Sequence, residues 1–260
     1  MGRLCLSIVL LSLILSALAV PWVKLPWWNV LRRCVSIAAA LSVVICARTF
    51  EHRTLRSYGF FDRKAGKTQF LLGILLGIGA LTVIGTLGLA SGAYHISIIA
   101  DRLRLWRTVL TFVPIACLVG VLEELVFRGF ILQHLLASSK SIAVIANSAL
   151  YAVVHLKTKT LTWDTYFELI GLFLLGVVLS LSFLRTRQLY LAVGLHATLA
   201  YGARVNKLLI EFPHPSISWL FGTTRLINGL MSWITLLGVV GVVVWRTRRL
   251  HRGGVGDGRT

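Results

Sequence analysis

Apolar runs of about 17–25 residues recur along this chain, and each is long enough to cross the hydrocarbon of a bilayer as a helix. They fall at roughly 4–20, 29–47, 69–90, 108–136, 141–156, 166–184, 189–203 and 226–245. Backbone groups in lipid find no water, so such a run must satisfy them internally, as a helix does. The runs are too long and too evenly apolar for barrel strands. The expectation is an all-α, polytopic transmembrane helical bundle of about eight spans, with a catalytic cavity inside the bundle. Composition agrees: 57% of the 260 residues are hydrophobic and 14% charged, against about 25% charged in soluble domains.

The net charge of +18 has the magnitude of a nucleic-acid binder, but its distribution does not. Lys and Arg lie mostly in short loops and at span ends, where they set topology and meet anionic head groups. No helix-turn-helix, zinc-knuckle or RNA-recognition pattern is present, so no nucleic-acid partner is expected. Placing the N-terminus inside puts fifteen of the 26 Lys and Arg residues other than Arg128 on the cytoplasmic side. Both large clusters, the 48–67 loop and the 246–259 tail, then lie inside, giving N-in and C-in. Arg3, the apolar run and Ala17-Leu18-Ala19 imitate a cleaved secretory signal. The run is long enough to be a retained helix, and that is the reading adopted. Cys5, Cys34, Cys46 and Cys117 fall in or beside spans with no Cys-x-x-Cys spacing. They read as small buried apolar groups rather than a disulfide framework or a zinc site.

The chain reads as one integral membrane domain in three parts. Residues 1–107 hold N-terminal helices and a basic loop. Residues 108–203 hold the core helices. Residues 204–260 hold an interfacial segment, the last span and a basic tail. His95 to Arg107 reads as interfacial, anchored by Trp106. Glu211-Phe-Pro-His-Pro-Ser216 breaks any helix. The glycine-rich tail from Arg246 reads as disordered. Gly73-x-x-x-Gly77 is a small-xxx-small spacing that lets helices approach closely.

Chemistry concentrates in the fourth span, where Glu123-Glu124-Leu-Val-Phe-Arg128 interrupts the apolar pattern. A carboxylate in hydrocarbon costs roughly 2.5–3.5 kcal/mol on insertion scales. A structural ion pair needs only one of the two. Glu124 and Arg128 are i and i+4 and share a helix face. Glu123 is turned about 100° away and has no cation on its own turn. One acid is thus neutralised while the other is kept for chemistry. Two further spans carry a histidine. Asn147, Tyr151 and His155 are spaced four apart on one face of the fifth. His196 lies within the seventh. A lone membrane histidine is usually structural, but two of them with an unpaired Glu can hold and deprotonate a water and can donate to an oxyanion. His52, His95, His134, His214 and His251 fall in loops or at span ends and carry no such argument.

These residues resemble the motifs of the CAAX protease and bacteriocin-processing (CPBP, or ABI) family, the glutamic-type intramembrane endopeptidases. The family carries Glu-Glu-x-x-x-Arg, then Phe-x-x-x-His, then His-x-x-x-Asn on successive helices. Here they stand as Glu123-Glu124-Leu-Val-Phe-Arg128, Tyr151-Ala-Val-Val-His155 and His196-Ala-Thr-Leu-Ala200, over roughly residues 110–203. The resemblance implies that Glu123 activates water with help from His155. It also implies that Glu124 and Arg128 support the helix, with Tyr151 and Asn147 beside them, and that His196 stabilises the oxyanion. Ala200 replaces the family's Asn, a second oxyanion donor whose loss costs about 100–1000-fold elsewhere. Thr198, Tyr201 and Asn147 are the candidate substitutes.

The function expected from the resemblance is an intramembrane peptidase acting near the C-terminus of a membrane-associated protein or peptide. The bilayer is its other partner, and the compact chain reads as one of a prokaryotic inner membrane. A non-catalytic relative, acting in bacteriocin immunity or as a membrane scaffold, is the alternative that Ala200 motivates. No cofactor is expected. A zinc peptidase using Glu123, His155 and His196 is a weaker competitor, since no His-Glu-x-x-His helix occurs. A proton-coupled transporter is weaker too, because no broken helices recur in two halves.

Overall fold

The structure is a computed structural model, and it describes residues 2–23, 25–97, 101–156, 162–223 and 226–253. Eight long helices occur among these residues: α1 Gly2–Ala19, α2 Trp27–Thr49, α3 Arg63–Ala90, α4 Arg102–Glu124, α5 Lys140–His155, α6 Trp163–Thr186, α7 Tyr190–Leu209 and α8 Leu230–Gly253. The fold is all-α, a helical bundle with one two-stranded ribbon. Five stretches are long and apolar enough to cross a membrane: Gly2–Trp22, Lys64–Ala90, Arg102–Leu135, Trp163–Thr186 and Leu230–Arg248. The other three long helices fall short for local reasons. In α2 only Cys34–Thr49 is an apolar helical stretch, after Arg32 and Arg33. The α5 helix has 16 residues. The α7 helix carries His196, Arg204, Asn206 and Lys207.

Capping sets several of the helix starts. The Asp62 carboxylate accepts from the Lys64 and Ala65 amides ahead of α3. Asp101 accepts from Leu103 N at 3.4 Å ahead of α4, and Ser139 from Ile142 N at 3.2 Å ahead of α5. Each satisfies an amide that the first turn leaves unpaired. Helix α4 already begins at Arg102, within the 95–107 segment expected to be interfacial. Before it, His95–Ile96 forms an antiparallel ribbon with Ile210–Glu211. Residues 98–100 lie outside the described residues. The tail reading is corrected. Helix α8 runs on to Gly253, since Arg and Leu propagate a helix well and glycine dominates only from there. The rest of the tail lies outside the described residues.

Helix α4 does not end after the acidic pair. It opens into a π-helical segment, Leu125–Leu132, and closes with one α-turn at Gln133–Leu135. Every residue of the π segment is buried, and it packs against α2, α5 and α6. In the rest of the bundle α3 packs on α7, α1 on α2, α5 on α6, and α8 on α6 and α3. The α3–α7 approach depends on two glycines. A Cβ at Gly73 would strike the Leu191 carbonyl, and one at Gly194 would strike that of Phe70. The close approach expected of Gly73 is thus made, with α7 as the partner.

Candidate functional site

Three helices bring the sequence-predicted residues together. Helix α4 presents Glu123 and Glu124 on successive residues, and the π segment presents Arg128. Helix α5 ends on His155, and α7 carries His196 in its second turn. The predicted ion pair forms: Arg128 Nη1 donates to Glu124 Oε1 at 2.8 Å, with both side chains fully buried. Arg128 Nη2 donates on to the Gly176 carbonyl at 3.2 Å. Its guanidinium lies 4.7 Å over the Tyr151 ring, which supplies a face for the cation in a desolvated site.

Glu123 turns away from this pair, as its position in the helix requires. Its Oε2 lies 3.0 Å from His155 Nε2 and 3.6 Å from His196 Nε2. The far sides of both rings are fixed as well. His155 Nδ1 lies 2.8 Å from the Tyr151 carbonyl, which only accepts, so Nδ1 carries a proton. His196 Nδ1 lies 2.8 Å from Glu124 Oε1, again an acceptor when ionised. The two Nε2 atoms therefore face Glu123 as lone pairs unless the rings are doubly protonated. Three acceptors converge on one point, and the His155–Glu123 contact requires one shared proton.

Glu124 thus does more than neutralise Arg128. The same Oε1 holds both Arg128 and His196, and this second link, between α4 and α7, was not legible in the sequence. Tyr151 stacks on His155 with ring centroids 4.2 Å apart and orients it through its own carbonyl. Asn147 lies lower on the same face, where its Nδ2 donates to Ser180 Oγ at 3.1 Å. Two proposed oxyanion substitutes are engaged elsewhere. The Thr198 hydroxyl donates back to the Gly194 carbonyl at 2.9 Å, and the Tyr201 hydroxyl donates to the Val109 carbonyl at 3.1 Å. Ala200 is half-buried.

Several further polar groups lie in the interior outside any recognisable motif. Ser148 and Ser180 are fully buried, and Glu168 is a further buried carboxylate on α6. The only sequence signal was a polar residue inside an apolar run. Glu124 Oε2, Arg128 Nε, Asn147 Oδ1 and Ser148 Oγ are buried without a hydrogen-bond partner among the described residues. Among the described residues no group of three His, Cys, Asp or Glu side chains is arranged to hold a metal ion.

Fold and site together define a class: a polytopic helical membrane protein with a Glu–His centre inside the bundle. Residues 105–201 match the model of a known family, Type II CAAX prenyl endopeptidase Rce1-like, within the CPBP group that the motifs resemble. The matched segment runs from the first turn of α4 into α7 and holds Glu123, Glu124, Arg128, His155 and His196. The family points to a CAAX-type intramembrane protease. No curated protein is significantly similar to the chain.

Proposed function

We propose that the protein is a glutamic-type intramembrane endopeptidase that cleaves a membrane-associated protein or peptide near its C-terminus. The observation that carries this reading is the convergence of His155 Nε2 and His196 Nε2 on Glu123 Oε2, at 3.0 and 3.6 Å. In the proposed reaction the Glu123 carboxylate, oriented by His155, removes a proton from water as the oxygen attacks the scissile carbonyl carbon. The C–N bond then breaks as that proton passes to the leaving amine. His196, with Nδ1 occupied by Glu124, offers Nε2 to the oxyanion when doubly protonated. A preorganised donor of this kind is worth about 100-fold or more in rate.

The test is comparative proteomics of membrane-protein C-termini from cells carrying the wild type or Glu123→Gln. The Gln variant keeps size and hydrogen-bonding capacity but cannot take the proton. It should accumulate uncleaved termini while its expression and thermal stability stay near wild type. Equal cleavage by the Gln variant would end the glutamic mechanism.

A second reading rests on Ala200 together with the commitment of Thr198 and Tyr201 to backbone carbonyls. On this reading the chain is a non-catalytic relative, and wild type and Glu123→Gln leave identical termini. Metal analysis of the purified protein before and after chelation separates both readings from a zinc peptidase, which would use the same three side chains.

A further inference from the structure

A groove of about 940 Å³ lies between α5 and α6, within the size range of roughly 300–1,000 Å³ usual for ligand sites. Its walls are apolar, from Val144 and Ile145 on α5 and from Phe173, Val177, Leu181 and Leu184 on α6. Lys140, Arg185 and Arg187 sit at one end. From Phe173 to Leu184 the wall extends about 16 Å at 1.5 Å per residue, close to the ~15 Å of hydrocarbon in one leaflet. The cations mark the end of the groove at the α6–α7 turn, where Leu189 N donates to the Gly59 carbonyl of the basic 48–67 loop at 3.0 Å.

Charge bears on what occupies the groove. The ion pairs among the described residues involve Arg53, Arg128, His134, His155 and His196, and none of the three groove cations. Arg187 also holds a left-handed backbone, φ 57°, at a helix C-terminus where glycine or asparagine is the usual residue. The chain thus keeps an arginine at the mouth against its backbone preference, with no carboxylate among the described residues paired to it.

We propose that this groove binds one anionic phospholipid, with an acyl chain along the α5–α6 wall and the phosphate held by Lys140, Arg185 and Arg187. Tail length, leaflet depth and unpaired positive charge fit that amphiphile and do not fit a zwitterionic one as well. The site is separate from the Glu123 centre and does not depend on peptidase activity.

Native mass spectrometry and thermal unfolding of the detergent-purified chain test the assignment, with phosphatidylglycerol, phosphatidylcholine and water-soluble glycerol phosphate as probes. Phosphatidylglycerol should bind at one per chain and raise the unfolding temperature, and the other two should not. Apparent affinity should fall about fivefold for each basic residue changed to Gln. Leu181→Trp, which fills the tail path, should lose the lipid with all three cations in place. Equal binding of phosphatidylcholine overturns the proposal. So does an equal shift with glycerol phosphate, or undiminished lipid binding in Lys140→Gln/Arg185→Gln/Arg187→Gln. If that triple variant does not fold, Arg187→Gln, at an exposed position, gives the same reading: weaker binding supports the site, and wild-type binding overturns it.

Discussion

One oxygen of Glu124 holds both Arg128, four residues on, and His196 on α7, each at 2.8 Å. That double use makes the two partners of the ion pair unequal. Removing Glu124 leaves Arg128 buried with no carboxylate, only the Gly176 carbonyl and the Tyr151 ring face, and releases the Nδ1 side of the His196 ring. Removing Arg128 leaves Glu124 still paired with His196. A buried charge stripped of its partner costs about 3–5 kcal/mol in soluble proteins. Glu124→Ala should therefore lower the unfolding temperature more than Arg128→Ala, and the double variant should be milder than Glu124→Ala alone. Thermal unfolding in one detergent checks the order. An Arg128→Ala as harmful as Glu124→Ala would remove His196 from the network. The Glu124–Arg128 pair was legible because i,i+4 spacing fixes a shared face. The Glu124–His196 contact was not, because 72 residues separate the partners and only the packing of α4 on α7 brings them together.

At the scale of elements, two features frame the Glu–His centre. One is the π segment, whose wider turn follows directly on the acidic pair; such turns often mark functional sites. It is held from outside by a cluster that the sequence reading set aside with the loop histidines. His134 Nδ1 contacts the Phe130 carbonyl at 2.8 Å, its Nε2 lies 2.9 Å from Glu51, and the Tyr58 hydroxyl donates to Glu51 at 2.5 Å. Burial first, and the bond to Glu51 second, hold the Tyr58 phenol above its usual range. The other feature is the glycine contact of α3 with α7. Helix positions and apolar faces were readable from run length, but neither a π turn nor a loop-to-helix latch has a periodicity to detect. The glycine contact yields a comparison. Gly73→Leu should push α7 and His196 away from α4, with the 1–3 kcal/mol cost typical of overpacking and a loss of cleavage. A Cβ at Gly79 meets nothing within 4 Å, so Gly79→Leu should behave as wild type. Equal behaviour of the two variants would show that α3 does not position the site.

For the whole molecule, orientation is set by which membrane face each end of the bundle meets. The 48–67 loop and the Arg187–Leu189 turn form one end, joined by the Gly59–Leu189 hydrogen bond. The His95–Ile96 ribbon with Ile210–Glu211 lies between the other ends of α3 and α7. Eight helices, an even number, return both termini to one side if each crosses. Three of them fall below the length and apolarity of a simple span, so their crossing is set by packing against neighbours as much as by hydropathy. Basic residues then decide orientation, and they favour the 48–67 end facing the cytoplasm. Labelling with an impermeant maleimide tests this in a background with Cys5, Cys34, Cys46 and Cys117 replaced. Ser57 and Ser216 are both exposed and lie toward opposite ends. Ser57→Cys should react only after the cells are opened, and Ser216→Cys should react in intact cells. The reverse pattern would place the basic loop outside, against the charge rule. Reaction of both from one side would mean that the number of crossings between them is even, so that an odd number of the five helices α3 to α7 does not cross. Either result would also change which compartment's protein termini the Glu123 site could receive, because the site's orientation is fixed to the bundle.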